Sequence, residues 1–153
     1  ASDAFAEALH HVARELTIML ARDGEGATRV IEVTVQGADS IEDARRVAMT
    51  VAQSPLVKTA VYGADPNWGR IACAAGYSGA ALDQDRLDIA MAGIRLLRQG
   101  APVPFDRVEV VTVMKATAHL LIDVHLHLGS YGATAWGCDL TEGYVDINGH
   151  YTT

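Results

Sequence analysis

His119-Leu-Leu-Ile-Asp-Val-His-Leu-His-Leu128 carries the clearest regular pattern in the chain. Leu120, Ile122, Val124, Leu126 and Leu128 recur at every second position. Successive side chains of an extended backbone point to opposite faces, so this period of two predicts a β-strand with one apolar side against a core. His119, Asp123, His125 and His127 fall on the other side, interrupted by Leu121. Imidazole and carboxylate on alternate strand positions are donors that zinc or iron accepts. No ligand set from a further strand accompanies them, so they are read as a polar, solvent-facing side and no metal is expected.

Downstream, Gly129-Ser-Tyr-Gly132 reads as a turn and residues 133–138 as a returning strand, which together predict a hairpin. Upstream, residues 28–36 repeat the alternation. Ile31, Val33 and Val35 share one face, Glu32, Thr34 and Gln36 the other, and Gly37 closes the strand. Residues 56–62 and 87–91 read as shorter strands, and residues 100–104 as a Pro-rich loop.

Helical spacing dominates elsewhere. Phe5, Leu9, Val12, Leu16, Met19 and Leu20 stand three and four apart and make one apolar stripe. Ser2 or Asp3 is placed to cap that helix, and Gly24 and Gly26 to stop it. Residues 40–53 predict a second helix. Ser40 and Asp43 form a capping-box-like pair, the apolar face runs through Ala44, Val47, Ala48 and Val51, and Ser54-Pro55 ends it. Asp65-Pro66-Asn67 signals a turn or helix start before a small-residue helix through Ile71, Ala74 and Ala75, and residues 140–147 read as a short helix. Strands and helices mix without a regular βαβ repeat. The expected class is α/β, a layered α+β arrangement of mixed sheet and flanking helices, in a single domain over residues 1–153.

Composition narrows the function classes. Half of the 153 residues are apolar and a fifth are charged, enough for a real core and too apolar for disorder. A formal net charge of −7 without a Lys/Arg cluster argues against nucleic acid and anionic membrane surfaces as partners. No apolar run approaches the length of a membrane span, and the acidic, His-bearing start is not a signal peptide, so a cytoplasmic location is expected. Cys73 and Cys138 sit in no CxxC and are expected to be reduced and buried.

Three segments are dense in groups that carry chemistry. Arg22-Asp-Gly-Glu-Gly-Ala-Thr28 sets Glu25 between two glycines, where a tight loop can present a carboxylate to an ammonium group. Its bland alternative is a solvated helix end. Tyr62-Gly-Ala-Asp-Pro-Asn-Trp-Gly-Arg70 could bind an anion at a helix start but is read first as a rigid packing corner built on Trp68 and Arg70. The tail Asn148-Gly-His-Tyr-Thr-Thr153 is polar and, taken alone, would be expected to fray. No GxSxG elbow and no phosphate-binding GxxxxGK loop is present.

The blocks LARDGEGATRVIEVTVQG (20–37), SPLVKTAVYGADPNWGRI (54–71), ATAWGCDLTEGYVDIN (133–148) and NGHYTT (148–153), in this order, resemble the ornithine acetyltransferase family, also called bifunctional glutamate N-acetyltransferase. The resemblance covers nearly the whole chain. It implies part of an N-terminal-nucleophile ornithine acetyltransferase-like fold and a role in arginine biosynthesis. Members of the family are made as a precursor that cleaves itself before a Thr to give an α and a β chain. That Thr takes acetyl from N-acetylornithine as an ester, releases ornithine and passes the acetyl to glutamate, a ping-pong transfer without metal. Some members also use acetyl-coenzyme A, which enters as a candidate co-substrate, and no resident cofactor is expected.

By the same resemblance, Glu25, Asn148 and Thr153 match the family's substrate contacts. Thr17, Thr28 and Thr34 do not sit in the nucleophile's context, and the chain opens with Ala1. The nucleophile, the Thr-Gly pair of the oxyanion hole and further Lys and Thr contacts are expected upstream, so this chain is read as the C-terminal part of the β chain, inactive alone. Its expected partners are the N-terminal α chain and the upstream β segment, in a heterotetramer. Two alternatives stay open: a non-catalytic amino-acid-binding or scaffold domain derived from the enzyme, and a related self-cleaving aminopeptidase.

Overall fold

The computed structural model describes residues 2–151. Its elements run α1 (Ser2–Arg22), β1 (Val30–Ala38), α2 (Ile41–Gln53), α3 (Pro55–Tyr62), α4 (Trp68–Gly76), β2 (Asp88–Met91), β3 (Ile94–Arg98), β4 (Ala101–Pro102), α5 (Arg107–Ala116), β5 (His119–His125), β6 (Tyr131–Cys138) and α6 (Glu142–Gly149). The strands form one six-stranded sheet in the order β4-β3-β2-β5-β1-β6. β1 and β5 are parallel and the other neighbours antiparallel, which makes the mixed sheet with flanking helices that the sequence predicts.

The alternation read from sequence places the core. Ile31, Val33 and Val35 pair in register with Leu120, Ile122 and Val124, and all six are buried. Onto this face α2 lays Ala44, Val47, Ala48 and Val51, and α4 adds Ile71, Ala74 and Ala75 to the same cluster. Each fully buried Val, Leu or Ile contributes roughly 1.5–3 kcal/mol relative to exposure, so the apolar sheet face drives the fold. Ser40 caps α2 as expected, its Oγ accepting from the Asp43 amide at 3.1 Å.

Three expectations need correction. Residues 56–62 are not a strand but helix α3. Ser54-Pro55 ends α2 and also starts α3, with Pro55 in the first turn and Ser54 as N-cap, where a missing N–H costs nothing. β6 does not return beside β5 as a hairpin; it pairs with the far side of β1. The chain leaving β5 crosses the end of β1, with Leu126 N donating to Gln36 O at 2.9 Å and Leu128 N to Gly37 O at 2.7 Å. Glycines permit this crossing: a Cβ on Gly129 would collide with the Ala38 carbonyl, and Gly37, at φ +69°, would meet the His125 ring.

β3 and α5 are absent from the sequence reading. Leu96 and Leu97 of β3 are adjacent and both buried, so no alternation announces the strand. α5 is rich in β-branched residues and buries only Val110 and Met114. Both cysteines are free, but neither is buried: Cys73 is exposed and Cys138 half-buried.

α1 is a single long helix as predicted, yet Ile18 is its only buried residue among those described. Phe5, Leu9, Val12, Leu16, Met19 and Leu20 are each more than half exposed. One tie to the sheet is polar: Arg14 Nη2 meets Glu32 Oε2 at 3.4 Å, and the same carboxylate oxygen accepts from Trp136 Nε1 at 2.8 Å. Among the described residues no helix is long and apolar enough to cross a membrane.

Candidate functional site

The loop between α1 and β1 carries Glu25 and packs on the turn that starts α6. Gly26, at φ +67°, allows the approach, because a Cβ there would stand 2.5 Å from Tyr144 N and 2.7 Å from the Gly143 carbonyl carbon. Thr141 caps α6, its Oγ1 accepting from Tyr144 N at 3.2 Å while donating to Gly26 O at 2.7 Å. Asp139 is buried just before it. Its Oδ1 accepts from the Thr28 and Arg29 amides at 2.8 and 3.0 Å, and its Oδ2 accepts from the Thr28 hydroxyl. Arg29 extends the tie to α3, Nη1 donating to the Val61 and Tyr62 carbonyls at 3.0 Å each.

This framework brings together two of the three expected site residues. Asn148 Nδ2, on the last turn of α6, donates to Glu25 Oε2 at 2.8 Å and to Tyr144 O at 3.0 Å. Both side chains are exposed. Thr153 lies outside the described residues. A neutral amide orients the carboxylate without cancelling its charge, so Glu25 keeps its attraction for a cation. Sequence reading passed over Asp139 and Thr141, although both lie in the block 133–148. A buried, triply bonded Asp and a bridging Thr have no local pattern that distinguishes them from ordinary loop residues.

The Asp65–Arg70 corner is occupied by its own contacts. Asn67 caps α4, Asp65 accepts from Asn67 Nδ2 and Arg107 Nη2 at 3.0 Å each, and Arg70 Nη1 donates to Leu56 O at 2.9 Å. Burial pulls Asp65 upward, but Asn67, Arg107 and Arg70 outweigh it and hold its carboxyl below the usual range.

The outer face of the sheet holds His125 and His127 at a cavity of about 400 Å³ lined also by Thr34, Gln36, Asp88, Arg95 and Asp123, while His119 lies apart with its Nε2 2.9 Å from Glu32 Oε2. The His125 and His127 rings lie 3.8 Å apart between centroids, and Asp88 Oδ2 takes Arg95 Nη1 at 2.6 Å. Burial and the neighbouring His127 push His125 below the usual histidine range, against the pull of Asp88. Burial, helped by Glu32, raises Asp123. Burial also pulls Asp88 upward, but the Gln99 amide, His127 and Arg95 outweigh it and lower its pKa. Among the described residues no group of three or more His, Cys, Asp or Glu is arranged to hold a metal ion.

Comparison with known proteins gives one consistent result. The model of the ArgJ family matches residues 1–153. The chain is 48% identical over 152 residues to the arginine biosynthesis bifunctional protein ArgJ of Symbiobacterium thermophilum, covering 99% of this chain and 37% of that protein. It is 46% identical over 155 residues to a glutamate N-acetyltransferase of Methanosarcina mazei, covering 99% of this chain and 39% of that protein. The crystal structure of the arginine biosynthesis bifunctional protein argJ from Bacillus halodurans aligns with a TM-score of 0.95 at 47% identity, over 97% of this chain and 70% of that one. The chain thus spans well under half the length of these two curated relatives.

Proposed function

The chain belongs to the ArgJ family, and on that premise we propose that it forms the substrate-holding wall of an ornithine acetyltransferase. In this reading the enzyme moves acetyl from N-acetylornithine to glutamate through an acetyl ester on a Thr supplied by polypeptide outside this chain. Glu25 receives the substrate ammonium. Asn148 supplies an amide to a polar substrate group, and Thr153 completes the set. The transfer needs no resident cofactor, and acetyl-coenzyme A serves as an alternative acetyl donor. The observation that carries the reading is the 2.8 Å contact between Asn148 and Glu25, which joins a tail helix to a loop at the other end of the chain.

The same reading names the partners. The exposed stripe of α1 is a surface that water-soluble chains rarely leave bare. The polypeptide that makes the relatives longer than this chain, the α chain and the upstream part of the β chain, covers it. Two measurements test the proposal. In the assembled enzyme, Glu25→Gln raises KM for N-acetylornithine on the order of tenfold, the loss expected for one charge-assisted contact. The 153-residue chain assayed alone gives no transfer. An unchanged KM removes Glu25 from the site, and transfer by the chain alone overturns the external nucleophile.

A further inference from the structure

We propose that Thr141 is a positioning residue whose hydroxyl sets the spacing between Glu25 and Asn148; this rests on the reading of those two as substrate contacts. Thr141 is buried, and its hydroxyl acts in both directions at once. It donates to the carbonyl of Gly26, the residue after Glu25, and accepts from the amide of Tyr144, one helical turn before Asn148. Asn148 in turn donates to Tyr144 O and to Glu25 Oε2. The bonds close a ring: Glu25 to Gly26, through Thr141 to Tyr144, and through Asn148 back to Glu25.

The two sides of this ring respond differently to a ligand. The Glu25–Asn148 bond joins two exposed groups, and an ammonium that takes the carboxylate competes with it. The Thr141 bridge lies beneath, out of reach of the ligand. Once substrate separates the outer pair, the bridge is what keeps loop and helix in register. Asp139 does not do this, because its three bonds go to Thr28 and Arg29 at the strand end of the loop. A misplacement of the loop by a fraction of an ångström weakens a directional, charge-assisted contact, so the effect falls on substrate binding.

The test uses the assembled enzyme and N-acetylornithine. Thr141→Val keeps the shape and removes the hydroxyl. It raises KM about tenfold with a smaller change in kcat, while Thr141→Ser, which restores the hydroxyl, stays near the parent. In a Glu25→Gln background Thr141→Val adds little, because the group it positions is already lost. If the Val variant fails to assemble, Thr141→Asp keeps an acceptor for the helix cap, deletes the donor to Gly26, and raises KM in its place. A Val or Asp variant with a lowered melting temperature and an unchanged KM makes Thr141 a cap only and overturns the proposal, as does a full additive effect in the Glu25→Gln background. Glu25→Gln without effect removes the underlying reading instead; Glu25→Gln effective with Thr141→Val silent removes this proposal alone.

Discussion

Helices α1 and α2 have the same kind of sequence and opposite fates. Each repeats apolar residues at three- and four-residue spacing, and each packs against β1 and β6. α2 buries Ala44, Val47, Ala48, Val51 and Ala52; α1 buries Ile18. The difference lies in what meets the sheet. The small β-branched and alanine side chains of α2 fit against the apolar face of β1. α1 meets the polar face instead, burying Ile18 and sending Arg14 to Glu32 and, at 5.7 Å, over the Trp136 ring. Periodicity therefore identifies a helix and its apolar side, but burial of that side depends on which surface lies opposite. On the proposed reading, the stripe left outward is the face that further polypeptide covers.

The contrast is testable by stability. Val47→Asp places an unpaired carboxylate in the core beneath α2 and costs about 4 kcal/mol or more, enough to unfold a marginal domain in denaturant titration. A loss no larger than that of an α1 substitution would abolish the distinction. A smaller effect comes from His125, on the face opposite α2. Burial and His127 favour its neutral form in the fold, so the unfolded chain binds the proton more readily. Its contribution is fully present above the ordinary value of 6.5 and is lost as pH falls from there through the lower folded value. Melting temperature should drop across that window, and His125→Gln should flatten the part due to this group. The smallest effect belongs to Leu16→Asp on α1, within about 0.5 kcal/mol in the same titration, because the site is already in water. The same variant is expected to abolish association with the rest of the enzyme, measured by native mass. Undisturbed assembly would show that the stripe is not the covered face.

The site was less legible than the core. The alternation of β1 and β5, the Ser40 cap and the glycine stop after α1 were all visible, since each depends on neighbours within a few positions, whereas the strand ends were not: β5 stops at His125 and β1 runs through Gly37 to Ala38. The Ser54-Pro55 pair was visible too, but a helix end and a helix start share that signal. Glu25 and Asn148 stood out only through family resemblance, because an exposed Glu and an exposed Asn have no local signature of function. Asp139 and Thr141 stayed hidden, since what distinguishes them is burial and the partners they meet.

Local chemistry along the chain was enough to set the class of fold, the apolar faces of β1 and β5 and the stripe of α1, because side-chain direction follows backbone period. Three-dimensional packing alone chose β1 rather than β5 as the partner of β6, turned the α1 stripe outward and set Glu25 against Asn148. The pairings among them join residues about ninety or more positions apart, such as Val30 with Cys138, Ala38 with Tyr131 and Glu25 with Asn148. Contacts at that separation form only where the whole core holds both segments in place, so no short window of residues can encode them.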